Sequence, residues 1–334
     1  MWIPSHYPEA LTMLLISMLC WGSWANALKL MRTCRFELFY WDYVFGTTLI
    51  SIVLAFTLGT LSRSEPSFLA NLAGASRASI FWALAGGAMF NVSNILLTGA
   101  IELAGLAVAF PVGVGLSIVI GVILNYIIIP KNDPILLFGG VSLLLSAVVL
   151  DARAYRLHLG SGSQTTSRKG IWLCVVSGIG LGLFYPLVAK SINEPHHLGP
   201  YGVGVFFMLG MLVSNAFVNS AIMRHPVTGQ APLHFRDYAH MPLHWHILGL
   251  LLGGVVWGIG SVLNFVVSST SLVGPATSFA LGDGATMVSA LWGLLLWHEF
   301  RGASSRVKVL LTIMILLFVA GLSCIALSPI MRVF

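Results

Sequence analysis

One carboxyl group stands out by its position. Asp283 lies in the middle of a long apolar run, between Gly282 and Gly284. An ionised carboxylate at bilayer depth costs roughly 2.5–3.5 kcal/mol even on insertion scales, so such groups normally face an internal cavity. The flanking glycines remove side-chain bulk and let a ligand or a neighbouring helix approach the backbone. The expected chemistry is proton coupling, hydrogen bonding to a substrate, or both. The competing reading is a packing residue satisfied by a hydroxyl or an amide. The other acids fall at the ends of apolar runs or in connections, Asp151 and Glu299 among them, and Asp42 lies in the first turn of the second run.

Side-chain amides form a second constellation. Asn91, Asn94 and Thr98 recur at helical spacing and make one face polar. Trp257, Ser261, Asn264 and Ser268 share a face in the same way. Amides beside aromatic rings offer donors and acceptors without net charge, which suits a neutral, polar, planar ligand. Trp21, Trp24 and Tyr185 are candidates to stack on such a ring. The alternative is that the amides join helices to one another and that the rings pack or anchor at the membrane interface. His225, His234, His240, His244 and His246 crowd one connection with no cysteine and no acid but Asp237 nearby. They read as polar residues near the membrane surface rather than metal ligands. Cys20, Cys34, Cys174 and Cys324 form no close pair, so neither a zinc site nor a disulfide framework is expected.

The elements that must position these residues follow from composition. Hydrophobic residues make up 57% of the 334 and charged residues only 8%, against roughly 25% charged in soluble domains. Runs of about 20 apolar residues cross the hydrocarbon core as helices. They fall at about 9–31, 39–60, 79–101, 105–129, 134–152, 170–190, 200–223, 246–268, 272–297 and 306–327. The fold expected is all-α and integral to the membrane, with ten transmembrane helices. No Lys or Arg precedes the first run, and Trp21 and Trp24 stand where a signal needs small residues, so that run is expected to be a permanent span. Twelve of the 17 Lys and Arg, including Arg32, flank the turns after the odd-numbered spans, while Arg63 and Arg332 are among the five on the other side. These odd loops are expected to be cytoplasmic and both termini extracytoplasmic, in the plasma or inner membrane. The bias accounts for the net charge of +6 without a nucleic-acid partner. The expected partners are a small-molecule substrate and the lipid bilayer, with the chain a monomer or homodimer.

The chain also resembles itself. Gly22 and Trp24 correspond to Gly182 and Phe184, Gly86-Gly87 to Gly253-Gly254, and Gly113-Val-Gly115 to Gly282-Asp-Gly284, at offsets of 160 to 169. Five spans is an odd number, so the second copy enters the membrane upside down, the plan of secondary transporters that bind substrate near the midplane. The expected organisation is a first five-helix repeat over 1–152, a short cytoplasmic linker over 153–169, and a second repeat over 170–334. An intramembrane enzyme needs paired acids, a nucleophile with its base, or metal ligands at depth. Asp283 stands alone there, so no catalytic residues are expected. A channel or a structural membrane protein remains as a further alternative.

Several short motifs carry a family resemblance. Span two opens Tyr40-Trp-Asp42-Tyr43, and span three carries Ala85-Gly-Gly87 and Asn91-Val-Ser-Asn94. Span four contains Gly105-Leu-Ala-Val-Ala and ends Gly121-Val-Ile-Leu-Asn125-Tyr126. Span nine contains Leu281-Gly-Asp283-Gly and Leu291-Trp-Gly293 and closes Trp297-His-Glu299-Phe-Arg301. In this order they resemble the ureide permease family of the drug/metabolite transporter superfamily. The resemblance implies two inverted five-helix repeats and proton-coupled uptake of allantoin, uracil and similar heterocycles by alternating access. It assigns Asp283 to the acid of the ninth span. Asp42, Asn125 and Glu299 take gating or structural places. No cofactor is implied beyond a proton gradient. Plant members carry a long central loop with a nucleotide-binding-like motif; the linker here is short and lacks a phosphate-loop pattern, so ATP use is not expected. A sugar:proton symporter or a metabolite exporter of the same superfamily is the alternative.

Overall fold

In lipid every backbone polar group must be satisfied within the chain, which leaves helices as the form for long apolar runs. The computed structural model describes residues 1–31, 33–61, 66–159, 167–227 and 229–331. Arg32, Arg63, Arg332 and residues 160–166 of the expected linker lie outside the described residues. About 80% of the chain is helical, and no strand occurs among the described residues. Among the described residues ten helices are long and apolar enough to cross a membrane: Tyr7–Leu30, Phe36–Leu61, Arg77–Ile101, Pro111–Ile128, Pro134–His158, Arg168–Asn193, Pro200–Arg224, Leu243–Ser268, Pro275–Leu296 and Ser305–Leu327. We number these spans one to ten. They match the ten apolar runs, with one informative difference. The helix of span five continues to Leu159, so Asp151 lies two turns inside it rather than at its end.

Local chemistry sets the boundaries. The hydroxyls of Ser76 and Ser304 accept from backbone N–H groups in the first turns of spans three and ten, satisfying donors that the helix itself leaves unpaired. Pro200 and Pro275 open spans seven and nine, where a missing N–H costs nothing. Gly105, at φ +77°, ends the helix of span three and turns the chain at once into span four. Between spans seven and eight a short helix, Phe235–Ala239, lies in the connection.

Several spans are interrupted. Span one breaks at Trp24 and Ala25, between helices Tyr7–Ser23 and Asn26–Leu30. Span nine breaks at Asp283 and Gly284, between Pro275–Gly282 and Ala285–Leu291. π-helical turns occupy Phe110–Val114, Gly249–Val255 and Trp292–Leu296 in spans four, eight and nine. Such irregular backbone at membrane depth persists only where protein or a water-filled cavity covers it.

The packing is reciprocal between the halves. Span three packs on spans six and seven, and span eight on spans one and two; span four lies against six, and nine against one. Spans two and seven, four and nine, and five and ten also pair. The two tightest crossings use glycine on both helices. A Cβ on Gly46 would stand 2.9 Å from the Cα of Gly254, and one on Gly210 would stand 2.1 Å from the Leu84 carbonyl oxygen, close to Gly87. Backbones approach this closely in membranes because lipid offers no hydrophobic drive, so helix contact depends on packing of small residues.

Candidate functional site

The break in span nine sets the site. Asp283 and Gly284 have ψ of −12° and −10°, tighter than α-helix. The Asp283 carbonyl accepts from the Thr286 N–H at 3.1 Å and from its hydroxyl at 2.9 Å. The Asp283 side chain is left in the wall of a cavity of about 660 Å³. It makes no ion pair among the described residues, and its Oδ2 has no hydrogen-bond partner there.

Aromatic rings floor this cavity. Trp21 and Trp257 stack with centroids 5.9 Å apart, and Phe90 lies on Trp257 at 4.7 Å. The Trp21 indole N–H donates to the Ser261 hydroxyl at 2.9 Å, which fixes its plane. Trp24 joins the wall, tilted on Tyr43 at 4.8 Å, and Phe184 joins it from span six. Behind this floor Phe207, Tyr185, Phe265 and Phe279 pack ring on ring. A second cavity of about 560 Å³, lined by Asn71, His197 and Ser269 on the even-loop face, shares no lining residue with the first.

Polar groups climb the wall toward the odd loops. Asn94, Thr98, Ser117, Thr286 and Ser289 lie at intermediate depth, and Asn94 donates to the Tyr40 hydroxyl at 2.9 Å. Lys29, Arg35, Tyr155, Gln230, Trp297 and Glu299 surround the mouth, and Asp151 lines the wall one helical turn from Tyr155. Glu299 accepts from the Lys29 ammonium and the Tyr155 hydroxyl, and Lys29 sits 4.8 Å above the Trp297 ring. Arg35 pairs with Glu37 and donates to the Ala231 carbonyl at 2.5 Å, tying the connection after span seven to the mouth. Cys34 also lines the mouth, and burial pushes its thiol up to about 11. The whole is a blind chamber: aromatic floor, carboxyl at mid-span, amide and hydroxyl sides, charged rim.

A family model described as ureide permease matches residues 39–169 and 163–328, in two stretches that meet at the linker. The chain belongs to the ureide permease family. Ureide permease 1 of Arabidopsis thaliana is 24% identical over 96% of each chain. Probable ureide permease A3 of Vigna unguiculata is 31% identical over 81% of this chain and 89% of its own. The glucose uptake protein GlcU of Bacillus subtilis is 23% identical over 83% of this chain. A solved crystal structure shares the fold over 95% of this chain with a TM-score of 0.64 at 16% identity, a likeness of fold alone. The protein is thus a multi-pass membrane transporter and not an enzyme.

The permease brings part of the sequence-derived set together. Trp21, Trp24, Asn94, Trp257, Asp283 and Glu299 all line the one chamber. Asn91, Asn264, Tyr185, Gly282, Gly284, Asp42 and Asn125 do not. Asn264 accepts from the Tyr185 hydroxyl at 2.5 Å and donates to the Ser278 carbonyl at 3.0 Å, joining spans six, eight and nine. Asn125 donates to the Gly121 carbonyl within its own helix, and Asn91 is fully buried without a partner among the described residues. Gly282 lets the Trp21 ring approach, where a Cβ would stand 2.5 Å away, and Gly284 does the same for Met18 and Leu322. Asp42 accepts from the Tyr238 hydroxyl at 2.6 Å, with His246 Nδ1 at 2.9 Å. His246 is therefore a helix residue paired across to span two, not a free polar residue of the connection. Burial, and then the Asp42 carboxylate, raise the Tyr238 phenol above its ordinary value.

Sequence reasoning missed Asp151, Tyr155, Lys29, Phe90 and Trp297 as chamber residues. For Asp151 and Tyr155 a signal exists: the helix-compatible residues from Ala152 to His158 prolong span five and put both on one face, four apart.

Proposed function

We propose that this permease is a proton-coupled importer of a small neutral polar heterocycle, a ureide such as allantoin or a nucleobase such as uracil, working by alternating access. The observation that carries the reading is Asp283: a carboxyl without a countercharge among the described residues, at a helix break, above an aromatic floor, in a chamber whose lining residues reach the odd loops. Discontinuous helices mark the substrate and ion sites of secondary transporters. The names of the Arabidopsis and Vigna relatives favour a ureide. The cation bias makes the odd loops cytoplasmic, so this conformation is open inward. The exchanged packing pairs and the two glycine crossings support two halves of inverted topology that rock about the site.

In the cycle, Asp283 takes a proton and substrate from outside, and the substrate ring packs onto the aromatic floor of Trp21, Trp257 and Phe90. The outer aromatic layer closes, and the inward chamber releases substrate and then the proton. Coupling requires that substrate bind the protonated carrier more tightly than the ionised one. A sugar symporter is the second reading, favoured by the GlcU relatives. Uptake of labelled allantoin, uracil, glucose and rhamnose into proteoliposomes separates the two. Saturable uptake of allantoin or uracil supports the reading, and uptake of a sugar alone transfers the function to the second.

A further inference from the structure

Among the described residues the chamber holds two carboxyl groups without a countercharge, not one. Of its charged lining residues, Lys29 is paired with Glu299 and Arg35 with Glu37, which leaves Asp151 and Asp283. Each keeps one oxygen that is shielded from water and has no hydrogen-bond partner among the described residues. Both side chains are only partly buried and line the chamber, so the other oxygen of each is open to a donor on a bound solute.

The two carboxyls stand at different depths. Tyr155 reaches Glu299 at the mouth, and Asp151 lies four residues earlier on the same helix, so about 6 Å deeper at the rise of an α-helix. Gly293 lies against Glu299 and Tyr155, and Asp283 precedes it by ten residues, so it lies about 15 Å deeper than the mouth. The separation along the chamber is then roughly 9 Å, the reach of a solute with donors at both ends.

We propose that Asp151 is a second substrate-binding carboxylate, which accepts an N–H of a urea group while the ring of the same solute is held near Asp283. A urea tail offers N–H donors at its far end, and hydrogen bonds to an ionised acceptor are the stronger ones. A ring-plus-urea ureide engages both ends. Uracil carries its two N–H groups on different edges of one ring and engages one carboxylate at a time. The inference rests on the transport reading above and narrows it to ureides with a urea tail.

The test compares allantoin with hydantoin, the same ring without the tail, in proteoliposomes holding wild type, Asp151→Ala or Asp151→Asn. Wild type is expected to take allantoin with a KM about ten- to hundred-fold below that for hydantoin. In Asp151→Ala that ratio collapses toward one, and in Asp151→Asn, which keeps the shape and loses the charge, it moves the same way. An unaltered ratio in a variant that transports, or an equal loss for both solutes, overturns the role of Asp151. Wild type that takes up neither solute overturns the transport reading itself and removes this inference with it.

Discussion

Replacing Asn264 by leucine separates a residue that holds helices from one that holds substrate. The amide is fully buried and makes three hydrogen bonds: from the Tyr185 hydroxyl at 2.5 Å, to the Ser278 carbonyl at 3.0 Å and to the Ser17 hydroxyl at 3.3 Å. Leucine nearly conserves volume, so the change removes polar contacts without opening a cavity. Interhelical hydrogen bonds in membranes contribute about 0.6 kcal/mol each, or roughly 2 kcal/mol for three. Leaving the Tyr185 hydroxyl without its acceptor costs about 1 kcal/mol more. The total, about 3 kcal/mol, shifts the unfolding equilibrium on the order of a hundredfold. Unfolding followed by intrinsic tryptophan fluorescence in mixed micelles measures this directly, and substrate KM is measured on the same preparation. Stability should fall by that amount while KM changes less than about twofold. Unchanged stability with a tenfold rise in KM would mean that the amide meets substrate, and the placement of Asn264 behind the chamber wall would be wrong.

Two further outcomes follow from the mouth. Because burial raises the Cys34 thiol from 9.0 to about 11, its thiolate at pH 8 is about a hundredfold scarcer than that of an ordinary cysteine, and the nucleophile is the thiolate. Maleimide labelling of a variant that keeps Cys34 alone should therefore be slow and accelerate about tenfold per pH unit toward pH 11; a rate that levels off near pH 9 would contradict the burial. Asp42→Asn replaces the charged acceptor of Tyr238 and His246, and hydrogen bonds to charged groups contribute about 1.5–3 kcal/mol. Limited proteolysis between spans seven and eight should quicken about tenfold, and an unchanged cleavage rate would show that Asp42 does not anchor that connection.

Much of this was legible in the residues, for physical reasons that differ from site to site. Ten apolar runs of bilayer length have one solution in lipid, so most span ends were readable to within about three residues, the start of span four and the end of span five excepted. The place of Asp283 in a cavity wall was readable because a carboxylate inside such a run normally faces an internal cavity. The amides were not separable by type: Asn94 faces the chamber and Asn264 faces Tyr185, yet helical spacing reports which residues share a face and not what that face meets. Gly282 and Gly284 read as room for a ligand or a neighbouring helix, and the room is taken by the neighbouring helices, through Trp21 and through Met18 with Leu322. Asp151 escaped because charge was taken to end the fifth span, whereas its helix runs on through Tyr155 to Leu159.

Uptake driven by a pH gradient tests the central claim most directly. Wild type and Asp283→Asn, reconstituted in liposomes with the interior alkaline, are compared for accumulation of labelled allantoin. Wild type should concentrate the solute above its external level and lose this when the gradient is collapsed. Asp283→Asn should bind the solute and equilibrate it without concentrating it. Concentrative uptake retained in Asp283→Asn, or wild-type uptake indifferent to the gradient, would contradict the assignment of the proton to Asp283.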